Sequence, residues 1–106
     1  MPKYLISASY EQEGVKGLLQ GGGTSRAEHL KQTLEIMGGT VEAFYFAFGE
    51  QDGYAIVDLP DNVTAAAIPL IVRATGVAGM QITPLLTPEE VDAAAQKTLE
   101  YRPPGQ

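Results

Sequence analysis

At 106 residues, with 44% hydrophobic and 19% charged residues, the chain is built for one globular domain with a modest core. It has no cysteine, so disulfides and thiolate metal sites are excluded. Seven Lys and Arg against thirteen Asp and Glu give a formal charge of −6, which repels phosphate backbones, and no basic cluster offsets it.

Nucleic acid is therefore not expected as a partner. No apolar run approaches the roughly 20 residues of a membrane helix, so no membrane partner is expected either. The opening MPKYLISASY has one lysine and a short mixed apolar run, unlike a signal peptide. Together with the absence of cysteine this predicts a cytoplasmic protein.

Lys3 to Tyr10 reads as a first strand, with Tyr4, Ile6, Ala8 and Tyr10 on one face and Leu5, Ser7 and Ser9 on the other. A loop is expected next, through Gln20-Gly21-Gly22-Gly23. Thr24 or Ser25 then caps a helix to about Met37, with Glu28 placed three residues after Ser25 as in a capping box. Ala27, Leu30, Leu34 and Met37 form its apolar stripe, and Gly38-Gly39 ends it.

Val41 to Phe48 and Tyr54 to Leu59 are two strand-like runs around Gly49-Glu50-Gln51-Asp52-Gly53, which predicts a hairpin. Phe44, Phe46 and Phe48 share one face; Val41, Ala43, Tyr45 and Ala47 share the other. Phe46 is central in its stripe, so Phe46→Ala is expected to cost about 3–5 kcal/mol if the ring is fully buried.

Asp61 caps a further helix whose inward side is expected to be Val63, Ala66, Ala67, Leu70, Ile71 and Ala74, with a kink or break at Pro69 and an end at Gly76. Val77 to Leu86 is a fourth strand, and Pro84 puts it at an edge or a strand end. Thr87-Pro88-Glu89-Glu90 is a full capping box. It opens a C-terminal helix over 87–101, packing through Val91, Ala94, Ala95, Thr98 and Leu99, before a loose tail at 102–106.

The order is β-α-β-β-α-β plus a C-terminal helix. It predicts an α+β, ferredoxin-like sandwich with a four-stranded antiparallel sheet, as a single domain over 1–101. Such a sheet is covered by its own helices on one side only. Here the second and third strands are apolar on both sides, so a second cover is expected: the C-terminal helix or another subunit. A homo-oligomer follows.

Several stretches resemble the GYD domain family, small bacterial ferredoxin-like proteins of largely uncharacterised function. They are Tyr10 to Gly14 after the first strand, Ser25-Arg26 and Gly38-Gly39 at the ends of the helix, Phe44-Tyr45 and Phe48-Gly49-Glu50 at the hairpin, Asp58-Leu59-Pro60-Asp61, and Leu86-Thr87-Pro88-Glu89-Glu90. The resemblance runs from about Tyr4 to Glu90. It departs at the hairpin, where Gln51 stands in place of the tyrosine of a Gly-x-Tyr-Asp type turn. The resemblance implies the fold and carries no activity with it.

No nucleophile or acid–base constellation assembles from this sequence, so a non-catalytic module that binds a small ligand or a protein partner is expected, with no cofactor and no metal. The alternative is a small cofactor-independent enzyme of the dimeric α+β barrel type. His29, the only histidine, lacks nearby co-ligands and reads as a solvated surface residue. Gln20 to Arg26 combines glycines, a helix start and an arginine, which suits an anion, although no phosphate-loop motif is present. If a ligand binds, strand alternation points to Tyr10, Tyr45, Tyr54 and Asp58 on the open sheet face, with Arg26 at the mouth of the helix. Asp58, desolvated under a partner, would be the candidate base; its ordinary role would be to pair with Lys or Arg.

Overall fold

A computed structural model describes residues 1–105; Gln106, the last position of the expected tail, lies outside them. The elements run β1 (Lys3–Tyr10), α1 (Gln12–Gly21), α2 (Gly23–Ile36), β2 (Thr40–Phe46), β3 (Gly53–Asp58), α3 (Asn62–Ala74), β4 (Ala78–Leu85) and α4 (Pro88–Ala95). The strands form one antiparallel sheet in the order β2-β3-β1-β4, the ferredoxin-like arrangement. β4 lies at an edge, where Pro84 costs no interior ladder bond.

The core lies between the sheet and the helices α2 and α3. Tyr4 and Ile6 of β1, Ala55 and Val57 of β3, Leu30 and Leu34 of α2, Ala65 and Ile68 of α3, Leu59 and Met80 form one buried cluster. Tyr4 is 1% exposed and donates its hydroxyl to Asn62 Oδ1 at the start of α3. β1 thus turns its even-numbered residues to the helices. Leu5, Ser7 and Ser9 face the open side.

Local signals behave as the sequence predicts at three ends. α2 closes in a Schellman motif: the Gly39 amide donates to the Leu34 carbonyl at 2.8 Å and that of Gly38 to Glu35 at 3.0 Å, with Gly38 at φ 86°. Gly39 is also a close approach, since a Cβ there would stand 2.5 Å from the Asp58 carbonyl oxygen. Asp61 caps α3 by accepting the Thr64 amide at 2.8 Å, which holds its carboxyl below the usual range. Thr87 and Glu90 make both bonds of the capping box.

Other expectations fail. The loop after β1 is mostly the helix α1. α2 starts at Gly23 with Gly22 as its N-cap and no side-chain cap, so Ser25 and Glu28 form no capping box. α3 is rotated from the expected face: it buries Ala65 and Ile68, while Val63, Leu70 and Ile71 are exposed. Of the kink or break expected at Pro69, the break does not occur, since α3 runs through it. α4 ends at Ala95 and buries no residue, so the C-terminal helix does not cover the open sheet face.

The register of β2 shifts between Val41 and Ala43, which leaves Glu42 as a bulge residue. Val41 therefore joins Val57 on the core side, while Ala43 and Tyr45 stay on the open face. Phe46, at the end of this edge strand, is 38% exposed; it stacks edge-to-face on Phe44 with centroids 4.9 Å apart. Phe48 lies beyond the strand in solvent. Phe46→Ala is accordingly expected to cost about 1–2 kcal/mol, less than a fully buried ring would. A urea-midpoint shift as large as that of a fully buried core residue would contradict this placement.

Candidate functional site

The five residues singled out from the sequence divide between the two faces of the sheet. Tyr45 and Tyr54 are cross-strand partners on the open face, where Tyr45 is 72% exposed. Asp58 lies on the same face, opposite Lys3 of β1 and Thr40 of β2. Tyr10 does not join them. It has the parity of Tyr4 and Ile6, which the helices bury, so it turns to the helix side, where Arg26 also lies. The expected single-face site is corrected to two separate groups. The reason is that Ile6, and not Leu5, is the core residue of β1.

On the open face Asp58 is a partner of a cation. Lys3 Nζ donates to Asp58 Oδ1 and Oδ2 at 3.0 and 3.2 Å and reaches Glu42 at 3.0 Å. The Glu42 carboxylate, then that of Asp58, hold the Lys3 ammonium above its usual range. This is the ordinary role foreseen for Asp58, and it leaves no free base there. Asp52 is likewise structural: its carboxylate accepts the Tyr10 amide at 2.8 Å, and its own amide donates to the Ala8 carbonyl at 2.8 Å. The hairpin is thereby tied to the end of β1.

The helix side holds a cleft of about 480 Å3, open along one side, between α1, α2 and the C-terminal end of α3. Tyr10 and Arg26 both line it, with Ser25 and His29 of α2, Thr75, and Glu13 of α1. The rest of the wall is mostly apolar, from Leu18, Ile71, Val72, Val77 and Ala78. A recess of about 20 Å3 bordered by Tyr10, Arg26, Leu30 and Phe44 lies beside it; Tyr54 borders this recess as well. His29 is exposed on the rim, so it is both the expected solvated histidine and a lining residue.

α1 is what makes the cleft, although its glycine-rich sequence reads as a loop. Its glycines 14, 17 and 21 disfavour helix by about 1 kcal/mol each in an interior. Packing explains one of them: a Cβ on Gly14 would stand 2.4 Å from the Val77 carbonyl oxygen and 3.3 Å from the Tyr10 ring. Gly17 differs, since a Cβ there would meet nothing within 4 Å. The signal that could have revealed α1 is Val15, Leu18 and Leu19 at i, i+3, i+4, together with glycines spaced by three and four.

Among the described residues, Arg26 has no carboxylate partner within ion-pair distance. No group of three His, Asp or Glu among them is placed to hold a metal. No helix among them is long and apolar enough to cross a membrane. The sequence model of the GYD domain family matches residues 4–95, from β1 through α4. No curated protein matches the chain.

Proposed function

The chain belongs to the GYD domain family, and from that premise we propose that it is an oligomeric, non-catalytic binding module of the bacterial cytoplasm. The observation that carries the binding function is the cleft of about 480 Å3, a volume in the range of small-molecule sites, with a tyrosine and an arginine that is unpaired among the described residues in a mostly apolar wall.

Assembly has separate support. Tyr45 and Tyr54 are exposed on a sheet face that α4 leaves uncovered, with Leu5, Ile56 and Leu85 half-buried beside them. A second copy of the chain is the cover this face suits, because each copy brings the same apolar patch. Light scattering coupled to size exclusion tests this: a mass that is a multiple of 11.3 kDa is expected, and a single-chain mass at micromolar concentration overturns it.

The cleft is tested with two fluorescent naphthyl probes, neutral N-phenyl-1-naphthylamine and anionic 8-anilino-1-naphthalenesulfonate. Saturable binding of at least one probe is expected, lost in Gly17→Leu, whose side chain would project into the open space. Equal binding by both proteins overturns the cleft as the site.

A second reading has one feature in its favour. Tyr10, Arg26 and His29 line one cleft, which puts a phenol, a cation and an imidazole within one chamber. That suits a small cofactor-independent enzyme of the dimeric α+β barrel type. The open side of the cleft, through which water enters, favours the binding module.

A further inference from the structure

We propose that the cleft between α1, α2 and α3 takes an apolar organic monoanion, in the cell a carboxylate with a ring-bearing or medium-length chain body, held at its charged end by Arg26. This rests on the cleft being the binding site and specifies its ligand.

The charge arrangement carries it. The chain has thirteen acidic residues against seven Lys and Arg, so an arginine has ample chance of a partner. Lys3 takes two carboxylates, at 3.0 Å each. Arg26 takes none among the described residues, and its guanidinium donates no hydrogen bond to them, although it is half-buried beside apolar side chains. A partly desolvated guanidinium without a counter-charge is unfavourable, and a bound anion relieves it. The one carboxylate in the lining, Glu13, is exposed and lies 3.7 Å from Lys16 on its own helix.

The chemistry of the wall narrows the anion. Arginine is the cation whose planar fork matches a carboxylate in two parallel bonds. Tyr10 lines the same space and its hydroxyl forms no hydrogen bond among the described residues, so it is a further donor for an anionic oxygen. Leu18, Ile71, Val72 and Val77 offer the remaining wall to an apolar body. A polyanion such as a nucleotide is disfavoured, because Arg26 is the only Lys or Arg in the lining and Glu13 would repel the extra charge.

The two naphthyl probes differ in the sulfonate and so test the charge. 8-Anilino-1-naphthalenesulfonate is expected to bind the wild type at least about tenfold more tightly than N-phenyl-1-naphthylamine, the scale of one charge-assisted contact. Arg26→Leu should remove that preference and leave the neutral probe within about twofold, while Arg26→Lys should keep part of it. Octanoate should displace the anionic probe from the wild type, and octanamide should not. Melting curves and circular dichroism confirm that the variants are folded.

If the two probes bind alike, or Arg26→Leu leaves the anionic probe unchanged, the anion specificity is overturned while the cleft stands. If octanamide competes as well as octanoate, the carboxylate is overturned. If neither probe binds, or Gly17→Leu has no effect on either, the cleft itself fails as the site and the proposal fails with it.

Discussion

Tyr4→Ala is expected to lower the free energy of unfolding by about 3–5 kcal/mol, the range for truncating a buried aromatic side chain. Tyr4 sits on β1, a central strand, paired with Val57 of β3 and Pro84 of β4. Its ring belongs to the cluster with Leu34, Leu59 and Ile68. Its hydroxyl reaches Asn62 Oδ1, tying the sheet to the start of α3. Alanine removes the ring, leaves a cavity and cuts that tie. Against a total of about 5–15 kcal/mol for a domain, the loss is a large fraction. Tyr4→Phe isolates the hydroxyl and should cost about 0.5–1.5 kcal/mol, since Asn62 is exposed and water can take its place. Urea unfolding followed by circular dichroism measures both. A Tyr4→Ala loss no greater than that of Tyr4→Phe would show that the ring is not packed in the core.

The second large effect tests the rotation of α3. Ile68→Ala is expected to cost about 2–5 kcal/mol and Leu70→Ala about 0.5 kcal/mol or less. Ile68 is 6% exposed and packs with Val57 and Leu34; Leu70, two residues on, is 70% exposed. The apolar pattern alone expects the opposite order, because it places Leu70 inward. If Leu70→Ala proves the more damaging in denaturant titrations, α3 is turned the other way against the sheet.

The cleft illustrates the same limit. The sequence names Tyr10 and Arg26 as candidate ligand contacts but expects Tyr10 on the open sheet face; the structure brings the two together at the cleft on the helix side. Tyr45, Tyr54 and Asp58 belong to the opposite face, and Gly17 gave no sign of lining a cavity because a glycine-rich run reads as loop.

What the sequence by itself determined are the features whose causes lie within about five residues of chain. The Thr87–Glu90 box, the Asp61 cap and the Gly38-Gly39 close are made of hydrogen bonds between near neighbours. The alternation around the hairpin makes β2 and β3 neighbours, and Pro84 marks β4 as an edge or a strand end. Tertiary structure decided the rest, wherever two local choices were nearly equal. α3 is apolar almost all round, from Val63 to Val72, so only the sheet selects Ile68 over Leu70. Leu5 and Ile6 compete as core residues until the helices cover one of them, and that choice sends Tyr10 to the cleft and away from Asp58. α1 forms although its glycines oppose it, because it packs against the end of the sheet, where Gly14 lets it approach the Val77 carbonyl. In each case the deciding contact joins residues far apart in the chain, and burial outweighs a local preference of about 1 kcal/mol.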